Sequence, residues 1–235
     1  GLDWEYGPTD LEMERSADWV QFILDRRMAA APGKRFNYSN GNSHLLSAIL
    51  QVATGMSASA YAESRLFAPM GIRRFYWPAD PQGITRGYGD LNLTPRDMAK
   101  LGQLYLRNGN WEGRQLVPAE WVRESTKKRI KSNWGDYYGY HWWMNSFGGF
   151  SARGSGGQYI YILPHLDLVV AAANGLAENE PFLPESYLGN CLKGEGPLPS
   201  NEPEYASLQE LLAELQSGRR PVLPGLIPLT APAVS

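Results

Sequence analysis

Tyr38-Ser39-Asn40 stands between a turn at Pro32-Gly33 and an apolar run that begins near Ser43. A tyrosine hydroxyl can pass a proton, and an asparagine amide two residues later can hold a carbonyl oxygen. Together they make half of an acyl-transfer site of the serine type. The other half would be Ser-x-x-Lys, one helical turn apart, so that the Lys amine can take the Ser proton. One such pattern occurs, Ser125-Thr126-Lys127-Lys128, in a polar helix that follows Pro118.

Outward from this element the pattern is helical. Ser16 caps a run in which Trp19, Val20, Ile23, Leu24 and Met28 share a face, and Pro32-Gly33 stops it. From Ser43 to Thr54, Leu45, Leu46, Ile49 and Val52 recur at helical spacing, with Gly55 as the stop. Ser57 starts a third helix ended by Pro69 and Gly71. Thr94-Pro95-Arg96-Asp97 reads as N-cap, N1 proline and acidic N3, launching a helix that closes at Asn108-Gly109.

After Tyr137 the period becomes extended. Tyr138 to Asn145 reads as a strand that places Tyr138, Tyr140 and Trp142 on one face and Trp143 on the other; with Trp134 they could wall an acyl pocket. Gln158 to Leu163 and Asp167 to Ala173 form two more strands. Pro164-His165-Leu166 is too short for a crossover, so these two pair as an antiparallel hairpin. Glu204 to Gln216 is helical, and the stretch with Pro221, Pro224, Pro228 and Pro232 has no periodicity. The domain division expected is 1–200 for the main domain and 201–235 for a helix and tail.

The 22 Lys plus Arg against 24 Asp plus Glu give a net charge of -2, with no electrostatic reason to expect nucleic acid or an anionic membrane as partner. Lys127, Lys128, Arg129 and Lys131 read as the solvated end of a helix. One cysteine, Cys191, excludes an intrachain disulfide, and His44, His141 and His165 lack metal-ligand spacing, so no metal site or cofactor is expected. No apolar stretch reaches the roughly 20 residues of a membrane span. The opening Gly1-Leu2-Asp3-Trp4 resembles neither a start nor a signal peptide, and the chain is expected to begin mid-protein.

Arg153-Gly154-Ser155-Gly156-Gly157-Gln158 leads directly into a strand. Glycines there let another backbone or a ligand approach closely. As a nucleotide loop it fails, because Tyr159 stands where glycine is needed and no helix follows. As a nucleophile elbow it fails because Arg153 occupies the first glycine position.

The order of Tyr-Ser-Asn, a helical insert, the aromatic Tyr138-Gly139-Tyr140-His141-Trp142-Trp143 and Gly154-Ser155-Gly156-Gly157-Gln158-Tyr159 before a hairpin resembles the serine β-lactamase-related family. That family groups class C β-lactamases, penicillin-binding transpeptidases, esterases and 6-aminohexanoate-dimer hydrolases. The resemblance runs from Gly1 to about Asn174. It implies an α/β fold of the α+β type, an antiparallel sheet flanked by helices plus a helical lobe, with the N-terminal part that carries Ser-x-x-Lys missing. Ser125 and Lys128 fall after Tyr-Ser-Asn, the wrong order for the family's dyad.

By the same resemblance Tyr38 would carry protons, Asn40 would orient the substrate oxygen, and the backbone N–H of Gln158 would be an oxyanion donor beside Ser155, Gly156 and Gly157. Ser155 stands where β-lactamases and transpeptidases commonly have a Lys for the substrate carboxylate, which favours an ester, amide or peptide substrate over penicillin. Arg153 either replaces that cation or is a surface residue. The implied protein is a serine hydrolase of the cell envelope or periplasm, inactive as this piece alone. The rival is a non-catalytic module of the same fold that binds a peptide or cell-wall fragment. Loss of the preceding strands is expected to bare apolar faces of the 158–163 and 167–173 strands.

Overall fold

The change of period near residue 137 divides the computed structural model, which describes residues 1–174 and 200–218, into a helical part and a sheet. The helical part runs α1 (Pro8–Arg15), α2 (Trp19–Leu24), α3 (Asn40–Thr54), α4 (Ala58–Ala62, continued by a π turn at Glu63–Phe67), α5 (Pro95–Leu106) and α6 (Ala119–Ser125). A small hairpin, β1 (Asn110–Trp111) and β2 (Arg114–Gln115), follows α5. The sheet is a six-stranded antiparallel meander: β3 (Ile130–Lys131), β4 (Tyr137–Tyr138), β5 (Trp143–Met144), β6 (Phe150–Gly154), β7 (Gln158–Leu163) and β8 (Leu168–Ala172). This mixture of helices and antiparallel sheet is the expected fold class.

Local signals set several boundaries. Thr94 accepts from the Asp97 backbone N–H and Pro95 occupies N1, as read from the sequence. α5 then crosses β7 and β8. The crossing is so close at Gly102 that a Cβ there would lie 2.5 Å from Val169 Cγ1 and 2.9 Å from Ile160 Cγ2. Ile160 to Leu163 are buried. Of the two strands expected to bare apolar faces, β7 buries Ile160 and Ile162 against α5, and β8 is half-buried along its length.

Other boundaries differ from expectation. α2 is capped by Asp18, whose carboxylate accepts from Gln21 N at 2.8 Å, whereas the Ser16 hydroxyl donates to Met13 O at the end of α1. α2 ends at Leu24, and Leu24 and Met28 are exposed. α3 starts at Asn40 with Ser39 as its cap. Its buried positions are Gly41, His44 and Ser47, and Leu46, Ile49 and Val52 face outward. The stripe is set by its neighbours: at Gly41 a Cβ would strike the Trp4 ring at 2.5 Å, and His44 reaches the Asp80 carboxylate.

The expected Tyr138–Asn145 strand is two short strands. The Ser125 carbonyl at the end of α6 accepts from Tyr140 N at 2.8 Å and would lie 2.3 Å from a Cβ on Gly139. That contact draws the chain out of the ladder, and His141 takes φ +63°. The supposed alternation is lost: Tyr140 stacks on Trp121, and Trp142 packs on Tyr105 and Phe150.

Among the described residues, three apolar clusters form the interior. Phe67, Met70, Ile72 and Leu104 centre one; Trp4, Met13, Trp19 and Ile23 another; Met144, Phe150, Ile160 and Ile162 the third. Leu101 packs against the first and the third. Compact units comprise Gly1–Pro197 and Leu198–Ser235. Within the second, a helix spans Glu202–Gln216, begun by Asn201, whose side chain accepts from Glu204 N. Cys191 and the proline-containing tail lie outside the described residues.

Candidate active site

The segment before α3 is pinned at Phe36 and Asn37. The Asn37 amide donates to Leu2 O and Trp4 O at 2.9 and 3.0 Å, and Phe36 is buried among Trp134, Tyr138 and Trp143. Tyr38 is thus presented just before the helix and Asn40 as its first residue. The Tyr38 ring stacks on Trp143 and meets Tyr6, Trp134 and Tyr138 edge-on.

Burial raises the Tyr38 pKa, and the acidic groups of Tyr6 and Asp10 raise it further. The side chain is therefore a neutral phenol at neutral pH. It can donate a proton as it stands, and removing that proton requires a base or cation brought close to it.

One turn along α3, His44 is fully buried, with Nε2 3.1 Å from Asp80 Oδ2. Burial lowers its pKa against the opposing pull of Asp80. The neutral imidazole therefore donates to the carboxylate. Asp80 Oδ1 also accepts from Gln82 N and Ile84 N. The pair braces α3 against the segment that continues to Tyr88 and Leu93, whose Trp77 indole donates to Arg86 O and Gly89 O. His44 thus faces Asp80 in the interior and does not line the cavity described below.

The opposite wall is the β6–β7 turn. Gly154 pairs with Gln158, and Gly156 and Gly157 take φ +77° and +87°. Asn174 locks this turn: its amide donates to Gly157 O at 3.0 Å, and its carbonyl accepts from the Gln158 side chain.

A cavity of about 870 Å³ lies between the two walls. Tyr38 and Asn40 line it from the start of α3, and Ser155 and Gln158 from the turn. Gly156 and Gly157 shape the turn without lining the cavity. Leu91, Leu93, Met98, Leu101 and Ile160 supply an apolar part where two interior clusters meet. Of the aromatic residues offered as walls, Trp134 and Trp143 line the cavity; Tyr138, Tyr140 and Trp142 do not.

Ser125 is 1% exposed and its hydroxyl donates to Val122 O at 3.2 Å. That burial closes it to substrate. Lys127 and Arg129 pair with Glu124, as a solvated helix end should.

Sequence reasoning missed a polar cluster on the cavity wall. Arg153 donates to Asp136 Oδ2 at 2.8 Å, to Ser151 Oγ at 3.0 Å and to Asn145 Oδ1 at 3.1 Å. Asp136 and Arg153 line the cavity. The surface alternative for Arg153 is thereby corrected, since Asp136, Ser151 and Asn145, among the described residues, hold it against the sheet. Two-residue spacing puts Ser151 and Arg153 on one face of β6 and was legible. Nothing local pointed to Asp136 or Asn145.

Residues 1–189 match the family model described as Beta-lactamase. A 6-aminohexanoate-dimer hydrolase of Paenarthrobacter ureafaciens is 27% identical over 167 residues, which cover 66% of this chain and 42% of that protein. A solved structure from Bacillus anthracis, provisionally named a 6-aminohexanoate-dimer hydrolase, is 24% identical with a TM-score of 0.65, covering 94% of this chain and 58% of that one. A penicillin binding protein from Bacillus halodurans is 19% identical with a TM-score of 0.61, covering 80% and 68%. The chain thus spans about half the length of these 6-aminohexanoate-dimer hydrolase relatives.

Proposed function

The chain belongs to the beta-lactamase family, and on that premise we propose that it is part of a serine hydrolase that cleaves ester or amide bonds through an acyl-enzyme. The observation that carries this reading is the convergence of Tyr38 and Asn40 with Ser155 and Gln158 on one cavity, from elements more than a hundred residues apart. In the proposed reaction a serine attacks the acyl carbonyl, the leaving group departs with a proton, and water releases the acyl group.

Tyr38, a neutral phenol on the cavity wall, is the proton carrier. The Asn40 amide orients the substrate carbonyl, and the backbone N–H of Gln158 is one oxyanion donor. The nucleophile is a serine of the longer protein, paired with a lysine that would favour the Tyr38 phenolate when it comes near. Ser155 offers a hydroxyl where a carboxylate-binding lysine would stand. Esters or amides are therefore favoured over penicillins.

The test treats residues 1–235 and the protein encoded by the whole gene with a fluorophosphonate probe and p-nitrophenyl esters. Labelling of a serine upstream of Gly1, with turnover only in the longer protein, is expected. Labelling of Ser125 in the shorter chain would overturn the assignment. A longer protein that neither labels nor turns over would favour the binding-module alternative.

A further inference from the structure

Among the described residues, three charged side chains line the cavity, Asp90, Asp136 and Arg153, and each is in an ion pair. Asp90 meets Arg86 at 2.7 Å, and Asp136 meets Arg153 at 2.8 Å. The second pair lies close to the reacting end of the proposed site. The Arg153 guanidinium is 5.7 Å from the centre of the Trp143 ring, and that ring stacks on Tyr38.

A guanidinium on a cavity wall is the group best suited to a planar carboxylate. Here that charge is fixed and compensated in place. Ser151, fully buried, accepts from Arg153 Nε and donates to Asn145 Oδ1 at 2.7 Å, so the guanidinium is held by a network rather than by one partner. Asp136 supplies the opposing charge from the residue just before β4. A ligand carboxylate approaching Arg153 meets Asp136 as well, and like charges at close range repel.

We propose that Asp136 sets the charge preference of this cavity: by neutralising Arg153 it selects uncharged ester- or amide-bearing ligands over carboxylate-bearing ligands of the same shape. This rests on reading the cavity as the substrate site, but it concerns binding and needs no turnover.

The experiment measures, by isothermal titration calorimetry on residues 1–235, the affinities of phenylacetylglycine and of its isosteric primary amide, phenylacetylglycinamide. Wild type should bind the amide at least as tightly as the acid. Asp136→Asn should move the acid-to-amide ratio toward the acid by about tenfold, the scale of one charge-assisted hydrogen bond. Asp136→Glu should return it to the wild-type value. Arg153→Gln, which leaves Asp136 uncompensated, should move the ratio the opposite way, so a fold defect in one variant does not remove the test. An unchanged ratio in both variants, a wild type that prefers the acid tenfold, or no binding of either ligand would overturn the proposal. The shifts predicted here, found in a chain whose longer form hydrolyses no ester, would sustain this inference while the hydrolase reading fell.

Discussion

The phenol of Tyr38 lies nearly parallel to the indole of Trp143, with ring centroids 5.9 Å apart and planes 22° apart. The side chain proposed to carry protons is thus held by aromatic packing. Its pKa is raised by burial and by neighbouring acidic groups. In the longer protein Tyr38→Phe should lower kcat by on the order of 10² to 10⁴, typical of losing a general acid or base. The Tm should change little, because the ring contacts remain. Full turnover in that variant would make Tyr38 a packing residue.

Alkaline pH should destabilise the chain through the same group. The folded protein holds the Tyr38 proton more tightly than the unfolded chain, so this contribution is present below about pH 10 and is lost as pH rises through the folded value. Tyr88 and Tyr138 are raised as well, each first by burial, and act in the same direction. Urea midpoints measured from pH 9 upward should fall, and Tyr38→Phe should shallow the fall. A flat profile would contradict the burial seen for these phenols.

At the acid end the relevant group is His44. Its folded pKa lies below the ordinary value, so between the two the unfolded chain binds more protons. Its contribution is present above about pH 6.5 and is lost as pH drops through the folded value. His44→Ala should cost about 2–4 kcal/mol at neutral pH, since it leaves a buried carboxylate without its partner. Chemical denaturation at pH 7.5 and 5.5 checks both the size and the slope.

Gly102 is where α5 and the sheet touch. Gly102→Ala should destabilise by about 1–3 kcal/mol, as overpacking does. Val169→Ala in the same chain should recover part of that loss, because Val169 Cγ1 is the nearest atom to the added methyl. Additive costs in a double-mutant cycle would show that the added Cβ is accommodated without displacing Val169.

The outward face of α3 offers a contrasting outcome. Ile49→Glu and Val52→Lys should change the stability of residues 1–235 by no more than about 0.5 kcal/mol, since both side chains are exposed. Binding of a hydrophobic dye should fall. A loss of several kcal/mol would place these residues in a core.

Much of the fold was legible because its signals are local. Thr94-Pro95 fixes a helix start by satisfying a free N–H and presetting φ, and Pro164-His165-Leu166 is too short for anything but a reversal. The candidate site was legible in part for the same reason: Tyr38 and Asn40 flank Ser39, the cap of α3, and the glycines announce the β6–β7 turn. α1 was overlooked because it rests on Gly7 at φ +91° and an Asp10 carboxylate shared with the Trp4 indole, a combination with little apolar period.

By itself, then, the sequence determined the capped start of α5, the hairpin of β7 and β8, and the residue types near the cavity, because each depends on neighbours a few positions away. The tertiary structure decided which stripe of α3 is buried, where the aromatic stretch breaks at Gly139, and what compensates Arg153. In each case the controlling atom belongs to a distant segment: the Trp4 ring, the Ser125 carbonyl, the Asp136 carboxylate. Periodicity cannot encode such a partner, since burial and charge compensation depend on what arrives across space and not on what precedes along the chain.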